Sequence, residues 1–125
     1  MTQRYTFSKE LRLKSKVDIN ILFENGHSCY HYPIVFKYIL SESAQAFPKV
    51  VFVCPKRKFK HATVRNLIRR RMKEAYRLHW QELVQQSALH IMMIYSDSKV
   101  NQYDVIKRGI LAGLHEINKN TQNLV

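Results

Sequence analysis

The chain has 125 residues, 46% of them hydrophobic, which is the size of one domain with its own core and excludes a disordered segment. No apolar run reaches the ~18 residues of a membrane span, and Met1 to Phe7 lacks the apolar stretch of a secretory signal, so the cytoplasm is expected. Twenty-one Lys and Arg against nine Asp and Glu leave a formal charge of +12, which calls for a polyanionic partner.

In chain order, Arg4, Lys9, Arg12, Lys14 and Lys16 form a basic N-terminal zone. The spacing of Ile19, Leu22 and Phe23 predicts a helix over Lys16 to Asn25, stopped by Gly26. Pro33 to Leu40 is β-branched and aromatic and reads as a strand. Lys49 to Cys54 reads as a buried strand ended by Pro55. A basic loop follows, then a long helix from Ala62 to about Leu83. Leu89 to Tyr95 is a short bounded apolar run, a third strand. Asp97 or Asn101 is expected to cap a last helix with Val105, Ile106, Ile110, Leu114 and Ile117 as its core stripe. The order α-β-β-α-β-α describes one α+β domain over residues 1–125. Cys29 and Cys54 are a weak disulfide signal, and no Cys/His group has metal-ligand spacing, so no metal is expected on the chain.

The charge is concentrated. Nine of the eighteen residues from Lys56 to Lys73 are Lys or Arg and none is acidic, so +9 of the +12 lies there. On a helical wheel of roughly 100° per residue, Val64, Ile68, Met72, Ala75, Leu78 and His79 share the core face. Arg65, Arg69, Lys73 and Arg77 recur every fourth residue on the opposite side, flanked by Asn66 and Arg70, while Arg71 falls among the apolar positions. Like charges at this spacing repel by a few tenths of a kcal/mol per pair. A face built only for solubility interleaves Glu, yet Glu74 is the only acid between Lys56 and Gln81. A bound polyanion relieves the repulsion. Arg outnumbers Lys within the helix, and its fork suits phosphate. A membrane surface would require bulky apolar residues on the exposed face, but here they belong to the core. The basic loop leads into a helix N-terminus, whose free N–H groups also favour anions.

Two other classes of function are weighed against RNA binding. A self-sufficient nuclease would use some of the six histidines, but His61, His79 and His90 show no pairing with carboxylates, and the last two sit among apolar residues. A general structured-RNA-binding or ribosomal protein would carry the same basic helix, and that helix alone does not exclude duplex DNA.

The run Ala62-Thr-Val-Arg65-Asn66-Leu-Ile68-Arg69-Arg70-Arg-Met-Lys73-Glu-Ala-Tyr is similar to the signature helix of the bacterial ribonuclease P protein component, where a small-apolar pair precedes Arg-Asn-Arg and further basic residues. Arg12-Leu-Lys, then Asp18 to Phe23 and Gly26, resembles that family's N-terminal Arg-Leu and short helix. Val50 to Cys54 with its Lys-rich turn stands where the family has a strand and basic loop. The resemblance spans roughly Arg12 to Arg77. It departs at Leu67, where the signature has its second Arg, in a slightly longer basic loop, and at Ile19, where an aromatic is common.

The resemblance implies a two-layer α/β sandwich with a mixed sheet, in which the signature helix sits in a left-handed β-α-β crossover, against the ~98% right-handed rule. It implies a protein that binds a catalytic RNA and helps it remove the 5′ leader of precursor tRNA. The RNA and its magnesium ions carry the chemistry, so no catalytic residue, protein-bound cofactor, membrane or obligate protein partner is expected. On this resemblance Lys56, Arg57, Lys58, Lys60, Arg65, Asn66, Arg69, Arg70 and Lys73 contact the catalytic RNA. Phe23, Ile19, Phe36 and Tyr38 are expected at a leader cleft between the first helix and the sheet. Strand alternation puts Phe36 and Tyr38 on one face and Val35 and Lys37 on the other, without saying which face is the cleft.

Overall fold

The computed structural model describes residues 11–42 and 45–122. Arg4 and Lys9 of the basic N-terminal zone lie outside them. Helix α1 spans Lys16–Asn25. The Ser15 hydroxyl caps it by accepting from the Asp18 N–H at 3.3 Å. The expected stop at Gly26 works by space rather than by a left-handed backbone. Its φ is −70°, and a Cβ there would lie 2.5 Å from the Leu22 carbonyl oxygen.

Strands β1 (His27–His31) and β2 (Ile34–Leu40) form a hairpin around a cis Tyr32–Pro33 bond. β1 is additional to the predicted elements. Its sequence, HSCYH, has no apolar alternation, and the edge strand takes its conformation from pairing with β2. β3 (Lys49–Val53), α2 (Ala62–Leu83), β4 (Leu89–Tyr95) and α3 (Tyr103–Thr121) follow. The sheet order is β1-β2-β4-β3, antiparallel except for the β3–β4 pair. α2 therefore links two adjacent parallel strands. β4 lies between β2 and β3, which explains its almost continuous burial.

One sheet face, with Phe36, Val50, Phe52, Ile91, Met93 and Tyr95, packs under α2 and α3. Nineteen buried residues form this cluster, against three on the opposite face. At ~1.5–3 kcal/mol per large side chain, the α2–α3 side is therefore the main source of stability. It is the expected two-layer sandwich. On the other face α1 covers part of the sheet through Leu22, packed with Leu13 and Met92.

On α2, Ile68, Met72 and Ala75 are buried as the wheel predicts, joined by Tyr76, while Leu78 and His79 are only half-buried. Asp97 and Asn101 do not cap α3, whose N-cap is Gln102. They organise the β4–α3 loop instead: Asp97 accepts from Ser98 N–H at 2.7 Å, and Asn101 Nδ2 donates to the Tyr95 hydroxyl at 2.7 Å. Among the described residues no helix is long and apolar enough to cross a membrane.

Candidate nucleic-acid interface

The basic loop and α2 present Lys56, Arg57, Lys60, Asn66, Arg70 and Lys73 to solvent, with Lys58, Arg65 and Arg69 half-buried. The stripe is not uniform. Arg65 Nη1 donates to the carbonyls of Phe59 and Lys60, each at 2.8 Å, so this guanidinium fastens the basic loop to the helix. Lys58 Nζ reaches the Ser96 carbonyl at 3.5 Å. Arg69 donates to the Asn66 side chain and holds it in place. Arg77 is held by Glu74 through bonds of 2.9 and 2.8 Å, which neutralises the far end of the stripe. Arg70 and Lys73 make no hydrogen bond or ion pair among the described residues and are free to meet a phosphate. Arg71 leaves the apolar face sideways. Its Nη1 donates to the Asn101 carbonyl at 2.6 Å and ties α2 to the β4–α3 loop. Burial pushes the Cys54 thiol up, while Arg69 and Arg65 partly counter it, which places both guanidiniums near the end of β3. The first turn of α2 has no side-chain cap and no acid; Val64 N–H donates to the His61 carbonyl at 3.1 Å, and among the described residues the N–H groups of Ala62 and Thr63 stay available to an anion.

Folding joins two basic zones that the sequence separates. Arg12 bridges Val50 as a parallel neighbour, and Leu13 N–H donates to the Val50 carbonyl at 2.9 Å. The N-terminal segment thus extends the sheet beside β3. Between it and α2 runs a groove of about 180 Å³ whose walls are Arg12, Lys14, Arg69 and Lys73 and whose floor is Leu13, Val50, Val51 and Phe52. Among the described residues no acid or histidine lines it. Lys14 and Arg12 were visible as a basic zone, but only the Val50 bridge brings them to the signature helix.

The α1 side of the sheet has a different character. Phe23 is 55% exposed, and Lys37 Nζ sits 5.1 Å from its ring centroid. Tyr30, 54% exposed, pairs with Val35 in the hairpin and shares the Lys37 face. Phe36 and Tyr38, expected at the cleft, are 0% and 5% exposed. Strand alternation turns them into the α2–α3 core, where a Gly113 without side chain meets the Phe36 ring. The accessible face of β2 is the other one, with Val35 and Lys37. Ile19 is half-buried and helps cover the small α1-side cluster.

Two of the six histidines do pair with carboxylates. His31 Nε2 lies 2.6 Å from Glu116 Oε1, and His79 lies 3.9 Å from Glu82. Neither borders the basic groove. His90 is buried and contacts Gln45 at 3.1 Å, and burial lowers its pKa, as for a packed residue.

A family model described as Ribonuclease P matches residues 7–118. The chain is 32% identical over 83 residues to the ribonuclease P protein component of Acinetobacter baylyi, covering 66% of this chain and 63% of that protein. It is 37% identical over 82 residues to that of Porphyromonas gingivalis, covering 63% and 60%. The alignments thus span about three-fifths of the relatives' length. The fold resembles the RNase P proteins of Staphylococcus aureus (TM-score 0.72, 20% identity, 87% of this chain and 95% of the other) and Thermotoga maritima (TM-score 0.72, 17% identity, 84% and 96%). With the model match covering most of its length, the chain belongs to the family of the bacterial ribonuclease P protein component.

Proposed function

We propose that this chain is the protein subunit of ribonuclease P and that it assists removal of the 5′ leader from precursor tRNA in the cytoplasm. The observation that carries the reading is the merger of two basic zones around β3: the loop Lys56 to Lys60 and α2 on one side, Arg12 and Lys14 on the other, with no acid among the described residues of the groove between them. Such a surface suits the closely spaced phosphates of a folded RNA. Arg70, Lys73, Arg69 and the loop lysines neutralise phosphates of the catalytic RNA, with Asn66 oriented by Arg69 and Arg65 holding the loop in register. The single-stranded leader lies on the α1 side, where Phe23 and Tyr30 offer exposed rings and Lys37 a cation over the Phe23 ring. In this reading the protein's cations bind and position RNA, and the RNA with its magnesium carries the hydrolysis.

The test is binding to a ribonuclease P RNA across a range of salt. With about six phosphates neutralised, the log–log slope is about −4 to −5. A slope near zero, or equal affinity for duplex DNA of the same length, contradicts the proposal.

A further inference from the structure

Helix α3 approaches the β1–β2 hairpin closely because it carries glycine at two contact points. A Cβ on Gly109 would lie 2.5 Å from the Tyr32 carbonyl oxygen, and one on Gly113 2.1 Å from Cζ of Phe36. Glu116 follows Gly113 by three residues, so it shares their side of the helix and hangs over β1. On β1, strand alternation points Cys29 and His31 to that same side. The result is a group of three metal-ligand side chains, all half-buried. Their sulfur, nitrogen and oxygen atoms lie within 4.8 Å of one another.

We propose that Cys29, His31 and Glu116 bind a zinc ion that pins the edge strand β1 to α3. A thiolate, an imidazole and a carboxylate are a donor set suited to zinc rather than to magnesium or calcium, which prefer oxygen alone. A tetrahedral ion with bonds of ~2.3 Å to sulfur and ~2.0–2.1 Å to nitrogen and oxygen spaces its ligand atoms about 3.4–3.6 Å apart. His31 and Glu116, now 2.6 Å apart, open by about 1 Å, and no pair, all lying within 4.8 Å, closes by more than about 1.4 Å. Side-chain rotation supplies such shifts at the rim of a sheet. The fourth position is left to water. Thiolate and carboxylate together offset the charge of the ion. The basic groove repels cations, but it lies beside β3, at the opposite edge of the sheet. Three strand spacings are about 14 Å, beyond the ~8–10 Å over which salt screens charges.

The sequence hides this site, because Cys29 and His31 contribute only two ligands and the third comes 85 residues after His31. Its location away from the groove makes it independent of the proposed role with RNA.

The experiment is titration of the full-length, chelator-treated protein with cobalt(II), followed by displacement with zinc. One equivalent is expected to give the visible bands of tetrahedral cobalt and a thiolate-to-cobalt charge-transfer band. Cys29→Ser abolishes the charge-transfer band and Cys54→Ser retains it. Glu116→Gln, at a half-exposed position, keeps the fold and weakens cobalt binding by roughly tenfold or more. Zinc at about a hundred times its dissociation constant raises the melting temperature by roughly 10 °C, and not in Cys29→Ser. No charge-transfer band in the parent protein up to millimolar cobalt overturns the proposal, as does a band that survives in Cys29→Ser.

Discussion

Arg65 separates two ways in which a cation can serve an RNA surface. Its Nη1 holds two loop carbonyls at 2.8 Å, whereas Arg70 makes no hydrogen bond or ion pair among the described residues. Lys at position 65 keeps the charge but ends about one bond, ~1.3 Å, short of Nη1, so both contacts stretch to about 4 Å and are lost. A hydrogen bond from a charged donor contributes ~1.5–3 kcal/mol when sheltered; for a half-exposed guanidinium the two together are worth about 1–2 kcal/mol. That energy orders the loop carrying Lys56, Arg57, Lys58 and Lys60. Without it the loop must be ordered on binding, so Arg65→Lys lowers RNA affinity about 5- to 30-fold. The salt slope stays nearly unchanged, because the number of charges is the same. Arg70→Lys changes affinity by less than about threefold, and Arg65→Ala lowers the slope by at most the 0.7–0.9 of one contact. Filter binding over a salt series reads all three, and amide exchange in residues 57–60 reports loop order. If Arg65→Lys binds like the parent protein, Arg65 is a point charge and the anchoring argument fails.

Four further outcomes follow from burial and geometry. Phe23→Ala leaves stability within about 0.5 kcal/mol, since the ring is exposed, but reduces affinity for leader-bearing precursor tRNA more than for mature tRNA; equal losses would remove Phe23 from the leader path. Phe36→Ala costs about 3–5 kcal/mol in urea unfolding, as a core ring should, and a cost under 1 kcal/mol would contradict its burial. Gly113→Ala gains about 1 kcal/mol of helix propensity, yet the Phe36 ring has nowhere to go, so overpacking wins and the melting temperature falls; a rise would show that α3 can lift freely. Asp97 is held at about 2, chiefly by the Tyr32 hydroxyl and then by Asn101. A depressed carboxyl stabilises the fold above its unfolded pKa of about 3.9 and loses that contribution as pH falls toward 2. The stability difference between the parent and Asp97→Asn should therefore be present at neutral pH, small because the carboxylate faces solvent, and fade as pH falls through about 2; a difference constant with pH would refute the assignment.

Periodicity located α1, β2, β3, α2 and β4 within about a residue, because each buries a patterned apolar face. β1 escaped notice because an edge strand of His, Ser, Cys and Tyr is specified by its partner and not by its own pattern. The one-signed charge of α2 was readable, but the division of labour along it was not. That Arg65 anchors a loop, Arg71 a turn and Arg77 a neighbouring Glu depends on what each guanidinium meets in space. The same limit explains Phe36 and Tyr38. Alternation put them together on one face, but only the placement of α3 decides that this face is the core. Arg12 and Lys14 join the interface through a backbone pairing with Val50, which no local spacing encodes.

The central claim is tested most directly by cleavage of precursor tRNA by a bacterial ribonuclease P RNA at low, near-physiological magnesium, with and without this protein. The account predicts strong stimulation that needs both components and is lost when Lys56, Lys60, Arg70 and Lys73 are replaced together by Ala. Tight RNA binding without stimulation of the cognate RNA contradicts it and leaves a general RNA-binding protein in its place.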